Sequence, residues 1–215
     1  MPFTYPVLLE IEGRRCVVVG GGPETLPKTA ALVGQGALVT VVTPGREAGL
    51  DELAAAHPGR VVVHHRPWRE GDLAGAFLCV AATGDHELNA KIHAEGAREG
   101  TLVNAVDDPA HCDFAHPAVL RRGDLVMAVG TGGKAPALAS RIRRELAGRY
   151  GAEYGEAAAL VGEVRAATRA QWPSFAAWAE RWRTALDDDE VVDLVRQGRA
   201  DEARALLLAR LAGPG

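Results

Sequence analysis

The feature that most constrains this chain is the run Cys16-Val17-Val18-Val19, which stops abruptly at Gly20-Gly21-Gly22. A short β-branched apolar run reads as a buried strand. A helical pattern follows and ends at glycine, and Val39-Thr40-Val41-Val42 reads as a second strand. Strand, glycine turn, helix and strand form the βαβ unit that holds a dinucleotide. The glycines allow a pyrophosphate to approach the backbone where a Cβ would collide. The helix N-terminus adds free N–H groups and the positive end of its dipole. The turn reads Gly20-x-Gly22-x-x-Thr25, with threonine where the fingerprint usually has a third small residue. Gly20, Gly21, Gly22, Pro23 and Glu24 are therefore the candidate pyrophosphate residues. If the helix starts near Pro23 or Glu24, Pro27 falls in its first turn, where a missing N–H is tolerated.

The alternation continues. Candidate strands lie at Cys16–Val19, Leu38–Val42, Val61–His64, Phe77–Ala82 and Thr101–Val103, with helical patterns at Glu24–Gln35, Glu47–Ala56 and Asp85–Glu99. This predicts an α/β fold, a Rossmann-like parallel sheet covered on both faces. Ligands of such sheets bind beyond the strand carboxyl ends. That rule selects Gly20–Glu24, Thr43-Pro44-Gly45 and the Ala81–Gly84 loop with Thr83 as cofactor contacts. The second strand ends without the Asp or Glu that often holds ribose hydroxyls, so Thr43 and backbone groups would serve there. NAD is the expected cofactor, although Arg46 could serve the 2′-phosphate of NADP. Asn104-Ala105-Val106-Asp107-Asp108-Pro109 closes the fifth strand, with Asn104 a further candidate cofactor contact. Asp107 would sit at the strand's carboxyl edge, where a carboxylate could accept a proton as hydride leaves. Equally, Asp107 or Asp108 could cap the turn before Pro109. Spacing leaves both readings open.

Beyond Asp113 the texture changes. Leu125–Val129 reads as one more strand, Gly130–Pro136 as a second glycine turn, and Pro136 to about Tyr150 as a helix. Helices alone follow, at Ala152–Gln171, Ser174–Leu186, Glu190–Gln197 and Asp201–Leu211. Pro173, Gly198 and the acidic run Asp187–Glu190 serve as breaks and caps. The expected organisation is a nucleotide-binding domain (1–113), a small dimerisation and substrate region (114–150) and an all-helical C-terminal domain (151–215). Residues 121–149 hold seven basic and two acidic side chains, net +5 within a chain of formal charge −4. That local excess fits a polyanionic substrate, a solvated helix face or ion pairs to the acidic tail. The overall charge gives no reason to expect a nucleic-acid partner. No apolar run approaches the ~20 residues of a membrane span, and the N-terminal residues lack a leader's pattern, so a cytoplasmic location is expected. Cys16 and Cys79 lie in strand runs and read as buried and inert. His111-Cys112-Asp113 with His116 lacks a second ligand cluster, so no metal site is expected.

Several of these motifs, in this order, resemble the precorrin-2 dehydrogenase family, the N-terminal module of siroheme synthase. They are Val17–Gly22 with Lys28, Gly36–Val42, Ala81-Ala82-Thr83 with Asn89, and Asn104–Asp107. Cys112-Asp113-Phe114 with Pro117-Ala118, and Thr131-Gly132-Gly133-Lys134 with Pro136, complete the set. The resemblance covers most of the chain and is strongest from Pro6 to Tyr150. It implies a stand-alone enzyme that oxidises precorrin-2, a tetrapyrrole with eight carboxylate side chains, to sirohydrochlorin with NAD. It implies that Asp107 is the general base, and that Thr131, Gly132, Gly133 and Lys134 help hold substrate carboxylates. A homodimer, joined through the region after the Rossmann domain, is implied as well. Some members also insert ferrous iron as a second substrate, which makes a bifunctional enzyme the alternative. A non-catalytic NAD-sensing module is a remoter one, disfavoured by the missing acid after the second strand. Thr25, Pro27, Gly130, Ala135 and His116 depart from the family's usual residues.

Overall fold

A computed structural model describes residues 5–169 and 174–213. The chain divides into two compact units, Met1–His116 and Pro117–Gly215.

The first unit is built on five strands: β1 (Arg15–Gly20), β2 (Leu38–Thr43), β3 (Val61–His65), β4 (Leu78–Ala82) and β5 (Leu102–Ala105). They form one sheet in the order β3-β2-β1-β4-β5. Every neighbouring pair is parallel. Helices α1 (Thr25–Val33), α2 (Ala48–Ala56) and α3 (His86–Glu99) cross between strands. Alternate residues of each strand face opposite sides, and both sides are filled. Cys16, Val18, Val39, Val41 and Val80 pack with Leu32 and Leu50 on one face. Val17, Val19, Cys79 and Ala81 pack with Leu73 and Ile92 on the other. This two-sided burial is why the strands read as continuous apolar runs rather than as alternating ones. Cys16 and Cys79 are fully buried in these layers. Burial pushes the Cys16 thiol up to about 11, with the nearby Arg14 charge opposing, so it is an inert core group.

Thr25 begins α1, and Pro27 falls in its first turn as the sequence predicts. Asp85 caps α3 by accepting from the backbone N–H groups of Glu87 and Leu88, and Gly100 ends it at φ +71°.

The second unit opens with a hairpin of β6 (Ala118–Arg122) and β7 (Leu125–Val129). Sequence periodicity finds β7 but misses β6, which ends in two arginines. Gly123-Asp124 makes the two-residue turn, with Gly123 at φ +52°. Helix α4 (Pro136–Arg149) follows, then α5 (Ala152–Thr168), α6 (Phe175–Ala185), α7 (Glu190–Arg196) and α8 (Ala200–Ala212). Gly155 of α5 lets the helix approach the hairpin; a Cβ there would lie 2.4 Å from the Arg122 carbonyl oxygen. The last four helices enclose a core of Leu160, Val164, Trp178, Trp182, Val195, Leu207 and Leu211. The helix expected to reach Gln171 is described to Thr168, and its final residues with the expected break at Pro173 lie outside the described residues. In the acidic run, Asp188 accepts from the Glu190 N–H. Asp188 and Glu190 both pair with Arg210, so those acids hold α8 instead of the basic segment.

Candidate active site

Because all five strands are parallel, their carboxyl ends share one edge. Along it stand His65, Thr43, Gly20, Ala82 and Ala105, each closing its strand. Three strand spacings separate the ends of β2 and β5, about 14 Å.

Gly20 lies opposite Ala82 in the β1–β4 register. A Cβ on Gly20, whose φ is +153°, would come 2.1 Å from the Ala82 carbonyl oxygen. A Cβ on Gly21 would meet Thr43 Oγ1 at 3.0 Å. Gly22 differs: nothing lies within 4 Å of the corresponding point. The first two glycines are thus required by the sheet, and the third leaves open space above the backbone. Glu24 makes no side-chain cap, and α1 has no acid in its first turn. In that first turn the Thr25 N–H donates to the Gly22 carbonyl at 3.0 Å and the Lys28 N–H to the Glu24 carbonyl at 3.1 Å, and Pro27 has none, so the Leu26 N–H is the one left without a backbone acceptor among the described residues. Thr25 is fully buried beneath the turn, and its Oγ1 has no partner among the described residues. Open backbone at Gly22 and a helix start without a side-chain cap fit the diphosphate of a dinucleotide. Glu24 lies 3.9 Å from Lys28, leaving Pro23 exposed at the apex.

At the end of β2, Thr43 is buried and its hydroxyl faces Gly45 in its own loop, 3.4 Å from both the carbonyl oxygen and the N–H. Pro44 and Gly45 are exposed. His65 pins this loop. One ring nitrogen meets the Gly45 carbonyl at 3.1 Å and the other Asp51 at 2.8 Å. The Gly45 carbonyl and then the Asp51 carboxylate raise the His65 pKa. Neither His65 nor Asp51 stands out in the sequence, since only folding brings α2 beside the end of β3.

The turn after β5 carries the densest polar arrangement. The Asp108 N–H donates to the Ala105 carbonyl at 3.2 Å. Asp107, exposed between them, has φ +58° and is the one described non-glycine residue in the left-handed region. Asp108 turns inward and is 5% exposed. Its Oδ2 accepts from Asn89 Nδ2 at 3.2 Å and stands 2.8 Å from His111 Nδ1 and 3.0 Å from His86 Nδ1. His111 and then His86 hold the Asp108 carboxyl down at about 2, against the cost of burial. Asn89 Oδ1 accepts in turn from the Thr83 hydroxyl at 2.6 Å. Sequence reading offers Asp107 or Asp108 as a turn cap and misses the partners of Asp108. Thr83 and Asn104, both candidate cofactor contacts, have side chains committed within the protein. Thr83 also accepts from the Asp85 N–H. Asn104 donates to the Phe114 carbonyl at 2.8 Å.

In the second unit, Thr131–Lys134 forms a tight turn closed by the Lys134 N–H on the Thr131 carbonyl at 3.1 Å. Gly132 and Gly133 both have positive φ, +60° and +77°, as this turn type demands. Thr131 Oγ1 accepts from the Ala135 N–H at 3.1 Å, which ties the turn to the start of α4. Lys134 is exposed. Among the described residues three of the seven basic residues nearby are engaged, Arg149 by lying 5.5 Å over the Tyr150 ring. Arg122 donates to the Tyr150 carbonyl at the end of α4, and Arg141 pairs with Glu145. Among the described residues, no three His, Cys, Asp or Glu side chains converge as a metal site. No described helix is long and apolar enough to cross a membrane.

Comparison with known proteins agrees with this geometry. Residues 7–118 match the family described as "Putative NAD(P)-binding". Residues 122–149 match the family described as "Sirohaem biosynthesis protein central". Siroheme synthase of Pseudomonas fluorescens (strain SBW25) is 36% identical over 97% of this chain and 44% of its own length. Siroheme synthase of Methylococcus capsulatus is 34% identical over 94% of the chain and 42% of its own. The chain thus spans under half the length of these relatives. The solved structure of SirC, precorrin-2 dehydrogenase, superposes with a TM-score of 0.76 at 28% identity, covering 95% of this chain and 99% of that one.

Proposed function

The chain belongs to the NAD(P)-binding family matched by residues 7–118, and from that premise we propose that it is a precorrin-2 dehydrogenase that produces sirohydrochlorin, with NAD as its cofactor. NAD, when bound, supplies acceptance of a hydride. The chain's own residues supply the rest. Gly20, Gly21, Gly22, Pro23 and Glu24 cradle the pyrophosphate with the start of α1, and Thr43, Pro44 and Gly45 bound the ribose. Thr83 and Asn104 shape the cofactor's far end by holding their loops. Thr131, Gly132, Gly133 and Lys134 hold carboxylates of the macrocycle. Asp107 removes the proton that must leave when hydride does, so that two hydrogens are lost in all. Residues 114–150 form the substrate and dimerisation region of a cytoplasmic homodimer, followed by the helical domain 151–215.

The single observation that carries this reading is the Asp107 turn. An exposed carboxylate held at φ +58° at the carboxyl edge of the sheet is the kind of backbone outlier that clusters at functional sites. The test is anaerobic turnover of precorrin-2 with NAD. Asp107→Ala should lower kcat about 100- to 10,000-fold, the usual range for a lost general base, and leave cofactor affinity unchanged. Full NADH production by that variant would sink the assignment. Preference for NADP over NAD in the same assay would overturn the cofactor.

A further inference from the structure

Asp107 does not hold its own position. A non-glycine residue in the left-handed region persists only where its surroundings over-determine it, and asparagine or aspartate tolerates that region best. The surroundings here run from the loop after β4. The Asp85 N–H donates to the Thr83 hydroxyl at 3.0 Å. That hydroxyl donates to Asn89 Oδ1 at 2.6 Å. Because Oδ1 is the acceptor, the Asn89 amide must turn its N–H₂ group toward Asp108, and it does so at 3.2 Å. Asn89 is 1% exposed and Asp108 5%, so the central link of this chain is buried. His111 closes it from the other side at 2.8 Å. Donors from α3 and from the turn at Pro109–His111 thus converge on the residue directly after Asp107. An ordinary turn cap would need one local N–H partner, whereas this carboxylate is gripped by side chains 19 and 3 residues away.

We infer that Asp108 is a positioning residue, whose buried carboxylate, gripped by Asn89 and His111, locks the adjacent turn so that the Asp107 carboxylate stays aimed outward at the sheet's carboxyl edge. Asp108 touches neither substrate nor cofactor and acts only through Asp107. This rests on the assignment of Asp107 as the base.

The experiment compares Asp108→Ala, Asp107→Ala and the double variant, as full-length protein. Asp108→Ala should lower kcat about 10- to 100-fold, the scale of a catalytic group displaced by about an ångström, with the KM for cofactor unchanged. In the Asp107→Ala background the same change should alter the residual rate less than twofold, since there is no base left to misplace. A crystal structure of Asp108→Ala should show residue 107 at negative φ, a readout independent of turnover. Should that protein fail to fold, His111→Ala removes one donor from a part-exposed site and should show a smaller kcat loss with the same non-additivity. A further tenfold loss in the double variant, full activity in Asp108→Ala, or a residue 107 that keeps its positive φ there would overturn the inference. A wild-type protein that leaves precorrin-2 untouched would instead overturn the proposed function, and the crystal structure would still decide whether Asp108 sets the turn.

Discussion

The chain carries two glycine turns that each open a helix, Gly20–Glu24 before α1 and Thr131–Ala135 before α4. They are alike in sequence and unlike in cause. In the first, Gly20 and Gly21 answer to the sheet. Gly20 is pressed against the Ala82 carbonyl and Gly21 against Thr43, on strands to either side of β1. In the second, the glycines answer to the turn itself. Gly132 and Gly133 supply positive φ, Thr131 closes the turn locally, and nothing lies within 4 Å of a Cβ placed on Gly133. A turn fixed by tertiary contacts presents a rigid backbone cradle. A turn fixed by its own dihedrals can be moved as a unit, and its function must come from what it displays, here the exposed Lys134.

The largest effect should come from Gly20. Gly20→Ala drives a methyl group into the Ala82 carbonyl at 2.1 Å, and neither backbone can yield without parting β1 from β4. The expected destabilisation is about 3 kcal/mol, at the top of the range for overpacking, with cofactor binding lost as well. Thermal unfolding followed by circular dichroism reads the first effect and cofactor titration the second. An unshifted melting temperature would show that the first turn is as self-contained as the second.

Gly22 separates stability from binding within the same turn. It has open space where Gly20 has none, so Gly22→Ala should leave the melting temperature within about 1 °C. The new methyl group would stand where the pyrophosphate is proposed to lie. NAD affinity should therefore fall at least tenfold, which corresponds to about 1.4 kcal/mol. Unchanged affinity, measured by calorimetry, would move the cradle away from Gly22.

The same contrast explains what the sequence could and could not reveal. The first turn was legible because its causes leave periodic traces: a β-branched strand, three glycines and a helical pattern in succession. β6 was not, because Arg121 and Arg122 break its apolar run, and its trace is the Gly123-Asp124 hairpin signal alone. The Asp107 turn was half legible. Asp-Asp-Pro announces a turn, yet which carboxylate faces outward depends on Asn89 and His111 reaching Asp108. His111 is a local partner three residues on, but Asn89 is set by α3 lying against the end of β5, a long-range fact that no local pattern encodes. His65 on Asp51 is the same kind of case. The side chains of Thr83 and Asn104, two of the expected cofactor contacts, make hydrogen bonds within the protein that no local pattern announces either.

The smallest expected effect probes the second turn. Gly133→Ala has room for its methyl group, so its cost is the left-handed dihedral at φ +77° alone. That cost is about 1–2 kcal/mol, and in a protein of this size it amounts to a fall of roughly 2–4 °C in melting temperature for each kcal/mol. Because the turn closes on its own hydrogen bonds, the distortion should stay local. NAD affinity should be unaffected while the KM for precorrin-2 rises a few-fold, as Lys134 is re-aimed relative to the substrate carboxylates it is proposed to hold. Such a contribution from an exposed cation is screened by salt. The difference in KM between wild type and variant should therefore shrink as salt is raised from low concentration to about 0.5 M. A variant that loses NAD affinity as well would show that the two turns serve one ligand, and the division between a rigid cradle and a movable display would fail.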